Sequence, residues 1–237
     1  MTIEALIFDK DGTLFDFHKT WSAWADTALM DFADADPEIY HRAADAFGFD
    51  TRTKRFRPDS PVIAGTLIDV ADLLTSLRPE MPRPRLISWL EQSSHSVPQI
   101  EVTPLWPLLT AFRQQGLRLA VMTNDSEEPA RAHLRQAGIA DLFDIVIGAD
   151  SGFGAKPDAA PLQAIARMLK IRATDAAVIG DSLHDLHAAR SAGMTAIGVL
   201  TGLATAEDLA EAADLILPDI SHLPAWLDPP SAPSETP

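Results

Sequence analysis

The chain has 237 residues, of which 46% are hydrophobic and 22% charged, values that are ordinary for a globular protein. Its formal net charge is −15, from 34 acidic and 19 basic residues, and it has no long basic block. Nucleic-acid binding is therefore not expected, because affinity for a phosphate backbone comes from clustered Lys and Arg. No apolar run approaches the roughly 20 residues of a membrane-spanning helix, and there is no cysteine for a disulfide or a thiolate metal site. With an N-terminal stretch unlike a signal peptide, these properties favour a cytoplasmic protein without a membrane partner.

The first predicted element is a strand over residues 4–9, which runs into the charged segment Asp9-Lys10-Asp11-Gly12-Thr13. A charge taken out of water is costly unless it is paired or bound to a metal. The segment is therefore either an exposed turn or part of a binding site. Alternation along the strand places Lys10 opposite its carboxylate neighbours, and we predict that Lys10 takes no part in the chemistry.

Residues 16–102 predict an all-helical insertion, because helical patterns follow one another there and no strand alternation persists. The segments that suit helices are 18–33, 37–49, 61–77 and 84–95. Trp21 and Trp24 have near-helical spacing, which favours core packing over contact with a ligand. The segment 51–60 contains Arg52, Lys54, Arg55 and Arg57. A solvated loop is the simpler interpretation of this basic segment, and contact with an anionic group of a substrate is the alternative.

From residue 103 onward, strands alternate with helices, which predicts a parallel sheet with right-handed crossovers. The predicted strands are 117–123, 143–148, 176–180 and 194–200, and the predicted helices are 107–116, 127–137, 161–170, 183–192 and 205–213. The expected fold is thus α/β, a Rossmann-like parallel-sheet core with an inserted all-α domain. Residues 1–15 and 103–227 form the core and residues 16–102 the insertion, while the Pro- and Ser-rich segment 228–237 is predicted to be a disordered tail.

Polar side chains follow the predicted strands at the points where these strands end. In an open α/β sheet, ligands bind beyond the carboxyl ends of the strands, where the strand order reverses. We therefore expect these side chains to form one set at one edge of the sheet. The set comprises Asp9, Asp11, Thr123, Asn124, Lys156, Asp181 and Asp185.

The segments that carry this set resemble the four motifs of the haloacid dehalogenase superfamily of hydrolases. They are D-x-D-G-T-L, V-M-T-N, K-P-D and G-D-S-x-x-D. Within the superfamily the chain is most similar to the phosphoglycolate phosphatase-like branch, and the helical insertion lies where that branch has its cap domain. The resemblance implies a phosphatase that acts on a small phosphorylated metabolite, with phosphoglycolate as the leading substrate.

The resemblance also implies a role for each residue of the set. Asp9 would attack phosphorus to form an aspartyl-phosphate, and Asp11 would protonate the leaving alkoxide and later deprotonate water. Phosphatases of the superfamily have this second carboxylate, whereas the carbon-halogen dehalogenases lack it. Thr123, the backbone amide of Asn124 and Lys156 would contact the phosphoryl oxygens.

A metal is expected at the same place, because several carboxylates around a phosphate dianion need a cation. An all-oxygen site with few carboxylates is what Mg²⁺ prefers. By the family pattern, Asp9, Asp181 and the backbone carbonyl of Asp11 would bind the metal. Asp185 would act through a water or by orienting Lys156.

The sequence gives less information about which residues contact the leaving group of the substrate. His18 and Lys19, close to the start of the insertion, and Arg55 within it are candidates to contact the substrate, as is Trp21. Alternative functions are another phosphatase of the superfamily, a phosphosugar mutase, or a phosphonate hydrolase with a Schiff-base lysine in its cap. A catalytically silent binding or regulatory protein on the same fold is the alternative outside enzymes.

Overall fold

The computed structural model describes residues 3–63 and 65–228, and nearly all of the predicted tail lies outside them. Six parallel strands of these residues form one sheet, which confirms the α/β fold class, and two further strands form a small ribbon. The strands are β1 (Ala5–Phe8), β2 (Phe49–Asp50), β3 (Arg55–Phe56), β4 (Arg118–Met122), β5 (Ile145–Ile147), β6 (Ala176–Gly180), β7 (Thr195–Val199) and β8 (Leu215–Leu217).

Helices connect the strands and build the insertion. They are α1 (Phe17–Ala33), α2 (Pro37–Ala46), α3 (Leu67–Thr75), α4 (Arg83–Ser94), α5 (Leu105–Gln114), α6 (Glu127–Gln136), α7 (Ala160–Leu169), α8 (Leu183–Ala192), α9 (Ala206–Leu209) and α10 (Leu223–Leu227). No helix among the described residues has the length and the apolar character required to cross a membrane.

The order of the strands in the main sheet is β5-β4-β1-β6-β7-β8. After the insertion the chain adds β4 and β5 on one side of β1, and then returns to add β6, β7 and β8 on the other side. The strand order therefore reverses at β1. The carboxyl end of β1 lies at the switch point, where open α/β sheets bind ligands.

Both faces of the main sheet are covered, as expected for a parallel sheet. Ala5 and Ile7 of β1 pack on the side of α7 and α8, whereas Leu6 and Phe8 pack on the side of α5 and α6. These four side chains are completely buried. Because both faces of β1 are buried, side chains on both faces are apolar, and the first predicted strand is a continuous apolar run.

The insertion is a cap domain with its own apolar core, formed mainly by α1 to α4. It differs from the all-helical expectation at the ribbon of β2 and β3. The Asp50 carboxylate accepts hydrogen bonds from the backbone N–H groups of Arg52 and Thr53, which closes a turn. Phe49 and Phe56 then pair across the ribbon with ring centroids 5.2 Å apart.

Helix boundaries also differ from the prediction, most of all in two places. The third cap helix begins at Leu67 rather than at residue 61, because Thr66 and Asp69 form a capping box at this point. The last predicted core helix, 205–213, is limited to the four residues of α9.

Two chain segments join the cap to the core, and they lie side by side. The Asp16 N–H donates to the Ile100 carbonyl at 2.7 Å, and the Val102 N–H donates to the Leu14 carbonyl at 3.1 Å. The cap therefore leaves and re-enters the core next to the carboxyl end of β1.

Candidate active site

The register of the central strands brings three polar residues to the switch point. Phe8 of β1 is paired with Val121 of β4 and with Ile179 of β6. Asp9 follows Phe8 directly, whereas Thr123 and Asp181 come two residues after the partners of Phe8. The sheet therefore places these three side chains at one edge, as the sequence predicts.

Lys156 is bound between two of the predicted carboxylates. Its Nζ lies 2.6 Å from Asp9 Oδ1 and 2.6 Å from Asp185 Oδ1. The Asn124 side chain holds the backbone of Lys156, accepting from its N–H at 2.9 Å and donating to its carbonyl at 3.0 Å. Burial acts to lower the pKa of Lys156, but Asp185 and Asp9 outweigh it and raise the pKa. The lysine is therefore a fixed positive charge beside Asp9.

Both oxygens of Asp185 are engaged. While Oδ1 contacts Lys156, Oδ2 accepts from the Ser182 N–H at 3.1 Å and from the Ser182 hydroxyl at 2.6 Å. This is the capping box of α8. Gly180 leaves the space for the carboxylate, since a Cβ there would overlap Asp185. Of the two predicted roles of Asp185, these contacts support orientation of Lys156.

Asp181 is enclosed by two glycines from distant parts of the chain. A Cβ at Gly12 or at Gly202 would overlap its carboxylate. Gly12 also has φ +81°, which suits the turn out of β1. The Thr201 hydroxyl donates to the Gly12 carbonyl at 2.5 Å and joins the two loops. The sequence did not point to Thr201 or Gly202, because they follow β7 in a segment without a recognisable motif.

The carboxylates of Asp9, Asp181 and Asp185 form a group that fits a divalent cation. One oxygen from each lies within 4.8 Å of the others. Burial raises the pKa of Asp9 to about 7, with Lys156 opposing and Asp185 adding to the effect. Burial, followed by Asp9 and Asp185, also raises the pKa of Asp181. One lysine thus leaves the group with excess negative charge, and hard oxygen donors of this kind suit Mg²⁺.

That Lys10 takes no part in the chemistry stays a prediction, but its ammonium forms ion pairs next to the site. Its side chain is completely buried, and its Nζ lies 2.6 Å from Asp11 Oδ2 and 3.0 Å from Asp125 Oδ2. Lys10 is not among the described residues that line the cavity described below. The direction of its side chain is set by the turn after Phe8, since strand alternation ends there. Lys10 therefore forms a second ion-pair centre, behind the carboxylate that is expected to transfer protons.

Asp11 is held from both sides. Besides the contact with Lys10, its Oδ1 accepts a hydrogen bond from the Trp21 indole N–H at 2.6 Å. Burial raises the pKa of Asp11, while Lys10 opposes the shift. Trp21 belongs to α1 of the cap, and it also packs edge-to-face against Trp24. It is thus both a core residue, as its spacing predicts, and a direct partner of the candidate acid/base.

His133 of α6 connects Lys10 to the cap. Its Nδ1 lies 3.3 Å from Lys10 Nζ, and its Nε2 lies 3.0 Å from the Ser94 carbonyl at the end of α4. An ammonium only donates and a carbonyl only accepts. The ring must therefore accept at Nδ1 and carry its proton on Nε2, which is the neutral form. Burial, and next the Lys10 charge, lower the pKa of His133 to about 4.

Of the four cap residues proposed as substrate contacts, Trp21 lines the cavity between cap and core, whereas His18, Lys19 and Arg55 lie elsewhere. Lys19 is paired with Asp16 at 2.8 Å, and its side chain is 68% exposed. Arg55 is exposed on β3. His18 is partly buried, and burial followed by Arg55 lowers its pKa. None of the three is among the described residues that line the cavity between cap and core.

That cavity has two chemically different walls. The core contributes the polar wall, made of Asp9, Asp11, Thr123, Asn124, Asp125, Lys156, Asp181, Ser182 and His184. The cap contributes a mostly apolar wall, made of Phe17, Trp21, Trp24, Phe56, Val62, Ile63, Gly65, Leu67, Val70, Leu90 and Ser94. The arrangement is suited to an ester whose phosphate meets the core and whose remaining part meets the cap.

Comparison with known proteins agrees with the motifs. Residues 64–199 match the family model of the haloacid dehalogenase-like hydrolases. The chain belongs to this family. A phosphoglycolate phosphatase of Rhodospirillum rubrum is 37% identical to it over 120 residues, which are 51% of this chain and 50% of the relative. The chain thus spans about half the length of the curated relatives it matches.

Solved structures share the fold of this family member over almost its whole length. A predicted phosphoglycolate phosphatase from Haemophilus somnus has a TM-score of 0.72 at 20% identity and covers 96% of this chain and 99% of its own. A phosphatase of the family from Thermococcus onnurineus has a TM-score of 0.68 at 20% identity and covers 95% and 98%. At this level of identity the similarity establishes the fold alone.

We predict that Lys10→Met lowers the free energy of unfolding by at least about 2 kcal/mol, because it leaves the carboxylates of Asp11, 14% exposed, and Asp125, 36% exposed, without their buried cation. Lys19→Met is the matched control, since the exposed pair with Asp16 contributes at most about 1 kcal/mol. Urea denaturation of both variants measures the difference. Equal losses in the two variants would show that the Lys10 pairs do not stabilise the fold.

We also predict that His133 makes stability fall as the solution becomes acidic. Between pH 6.5 and about pH 4 the unfolded chain binds a proton at this residue that the folded chain does not bind. Folding free energy is therefore lost as the pH falls through this window and is retained above it. Urea denaturation of the wild type and of His133→Gln at pH 7 and pH 5 tests the sign. The wild type should lose more stability than the variant, and equal losses would contradict the assignment of a neutral ring.

Proposed function

We propose that the chain is a Mg²⁺-dependent phosphatase that hydrolyses small organic phosphate monoesters through an aspartyl-phosphate. The observation that carries the proposal is the set of three clustered carboxylates, Asp9, Asp181 and Asp185, in which Lys156 contacts two at 2.6 Å each. This set lies at the switch point of the sheet, next to the Thr123 hydroxyl. Membership of the hydrolase family supports the same chemistry.

Asp9 is the nucleophile in the proposed reaction. Among the described residues, Lys156 contacts the Asp9 carboxylate at Oδ1, which leaves Oδ2 to attack phosphorus. As the new P–O bond forms, the bond from phosphorus to the ester oxygen breaks and the alcohol takes a proton from Asp11. Asp11 then removes a proton from a water molecule, whose oxygen attacks the same phosphorus and releases inorganic phosphate and Asp9.

The remaining groups of the core wall bind the phosphoryl oxygens. Lys156 supplies positive charge, and the Thr123 hydroxyl accepts from the Asp125 N–H at 3.2 Å, which leaves its own proton to donate. Asp9 and Asp181, with the backbone carbonyl of Asp11, would hold Mg²⁺, and Asp185 would orient Lys156. The metal, when bound, would neutralise charge that develops on the transferring phosphoryl group.

Phosphoglycolate is the first substrate to test, because the relatives that match this chain carry that name. A phosphonate hydrolase is disfavoured, since it needs a cap lysine near the substrate and the described cap wall has none. A phosphosugar mutase and a silent binding protein are distinguished from the proposal by the products. With a panel of metabolite phosphates and Mg²⁺, release of free phosphate identifies a phosphatase, an isomerised sugar phosphate identifies a mutase, and neither product identifies a silent protein.

We predict that Asp9→Asn lowers phosphate release by at least about a thousandfold, because the amide cannot act as the nucleophile. Asp175→Asn is a suitable control, since this buried aspartate pairs with Arg172 just before β6, at the opposite edge of the sheet. Circular dichroism confirms that both variants are folded. Full activity of Asp9→Asn would contradict the mechanism, and no turnover of any ester by the wild type would contradict the function.

A further inference from the structure

The described residues of the cap wall offer no cation to a substrate. They are aromatic or aliphatic, apart from Gly65 and Ser94. The cap does contain basic side chains, but the described ones are directed to carboxylates of the cap itself or to solvent. Lys54 contacts Asp26 at 2.6 Å, and Arg83 contacts Asp72 at 2.6 Å.

The polar atoms of the cap wall are also engaged. The Trp21 indole N–H donates to Asp11, and the Trp24 indole N–H donates to the Ser93 hydroxyl at 3.2 Å. The Ser94 hydroxyl donates to the Glu91 carbonyl of its own helix at 3.2 Å. A leaving group with several hydroxyls or a carboxylate would therefore lose its hydration without gaining partners on this wall.

The rings of the wall are held in fixed positions. Trp21 and Trp24 pack edge-to-face with centroids 5.3 Å apart, and Phe17 and Phe56 pack in the same way at 5.3 Å. Leu67 and Val70 lie one turn apart on α3 and complete the surface opposite the core. Such a surface favours a flat or branched hydrocarbon, because burial of apolar area is favourable and aromatic rings pack edge-to-face.

We propose that the alcohol released by this phosphatase is uncharged and apolar, with an aromatic ring or a branched hydrocarbon next to the ester carbon. The inference rests on the proposed function and specifies its substrate. It also implies that phosphoglycolate, whose leaving group carries a carboxylate, is a poor substrate. The apolar cap wall would meet that carboxylate on one side, and Asp11 and Asp125 line the other.

His184 is the core residue that bears most directly on this conclusion. It is exposed in α8 and lines the cavity next to Ser182. It lies on the polar wall, with the phosphate-binding groups, rather than on the cap wall that faces the leaving group. His184 therefore provides no partner on the cap wall for an anionic leaving group.

Two matched esters test the proposal. Benzyl phosphate and phosphoglycolate are both phosphates of primary alcohols. The ester carbon bears a phenyl ring in the first and a carboxylate in the second. We expect kcat/KM for benzyl phosphate to exceed that for phosphoglycolate by at least about 100-fold, with Mg²⁺ present. Binding is measured separately by calorimetry with the non-hydrolysable pair 2-phenylethylphosphonate and 3-phosphonopropionate, of which the first should bind more tightly.

A pair of adjacent substitutions on α3 locates the effect in the cavity. Leu67→Arg places a cation on the cap wall. It should lower the ratio of kcat/KM for benzyl phosphate to kcat/KM for phosphoglycolate by at least about tenfold. Ile68→Arg adds the same charge to the next residue, which is 49% exposed and outside the described lining, and it should leave the ratio unchanged. Equal ratios in both variants would overturn the assignment of the wall.

The outcomes separate this inference from the proposed function. Turnover in which phosphoglycolate or a sugar phosphate is preferred over benzyl phosphate overturns the inference and leaves the phosphatase intact. Absence of turnover of every ester overturns the proposed function. In that case tighter binding of 2-phenylethylphosphonate still supports an apolar binding wall, and equal or weaker binding overturns it.

Discussion

The ion pairs of Lys156 with Asp9 and Asp185 are the contacts on which the site depends. They join three segments that are far apart in the chain and hold them at the carboxyl edge of the sheet. The lysine is fixed by more than charge, because Asn124 pairs with its backbone in both directions. Asp185 is fixed by the first turn of α8. The position of a cation beside the proposed nucleophile is therefore a consequence of strand order, one amide side chain and one helix cap.

A second group of charges lies behind the first and extends it to the cap. In the part of the chain that the structure describes, two buried lysines lie among five aspartates, Asp9, Asp11, Asp125, Asp181 and Asp185. Lys10 neutralises part of this charge, and His133 contacts Lys10 while its other nitrogen contacts the cap at Ser94. Trp21 of the cap meets Asp11 directly. The position of the cap and the environment of the candidate acid/base are therefore linked through two contacts.

Much of this arrangement follows from sequence patterns, and the reason is that it is local. A strand followed by Asp9-Lys10-Asp11-Gly12, or a helix that begins with Ser182 and Asp185, has the same geometry wherever it occurs. The parallel order of the strands then brings the motifs together. The Lys10 contacts could not be predicted in this way, because the alternation of a strand ceases at its end. The partner Asp125 comes from the segment between β4 and α6, and His133 comes from α6. The same applies to Gly202, whose neighbour is a carboxylate from a different loop.

The cap shows where prediction from single residues fails most clearly. His18, Lys19 and Arg55 are attractive because a phosphate ester is an anion, yet Lys19 is paired with Asp16, Arg55 is exposed, and none of the three lines the described cavity. What reaches the cavity from the cap is the apolar side of its helices, which also forms the core of that domain. A wall of this kind selects by shape and by the cost of removing water from a charge. The proposed catalytic groups belong to the core and the apolar wall belongs to the cap, so the proposed reaction and the choice of alcohol depend on different parts of the chain. The name of a relative is then a guide to the chemistry rather than to the substrate.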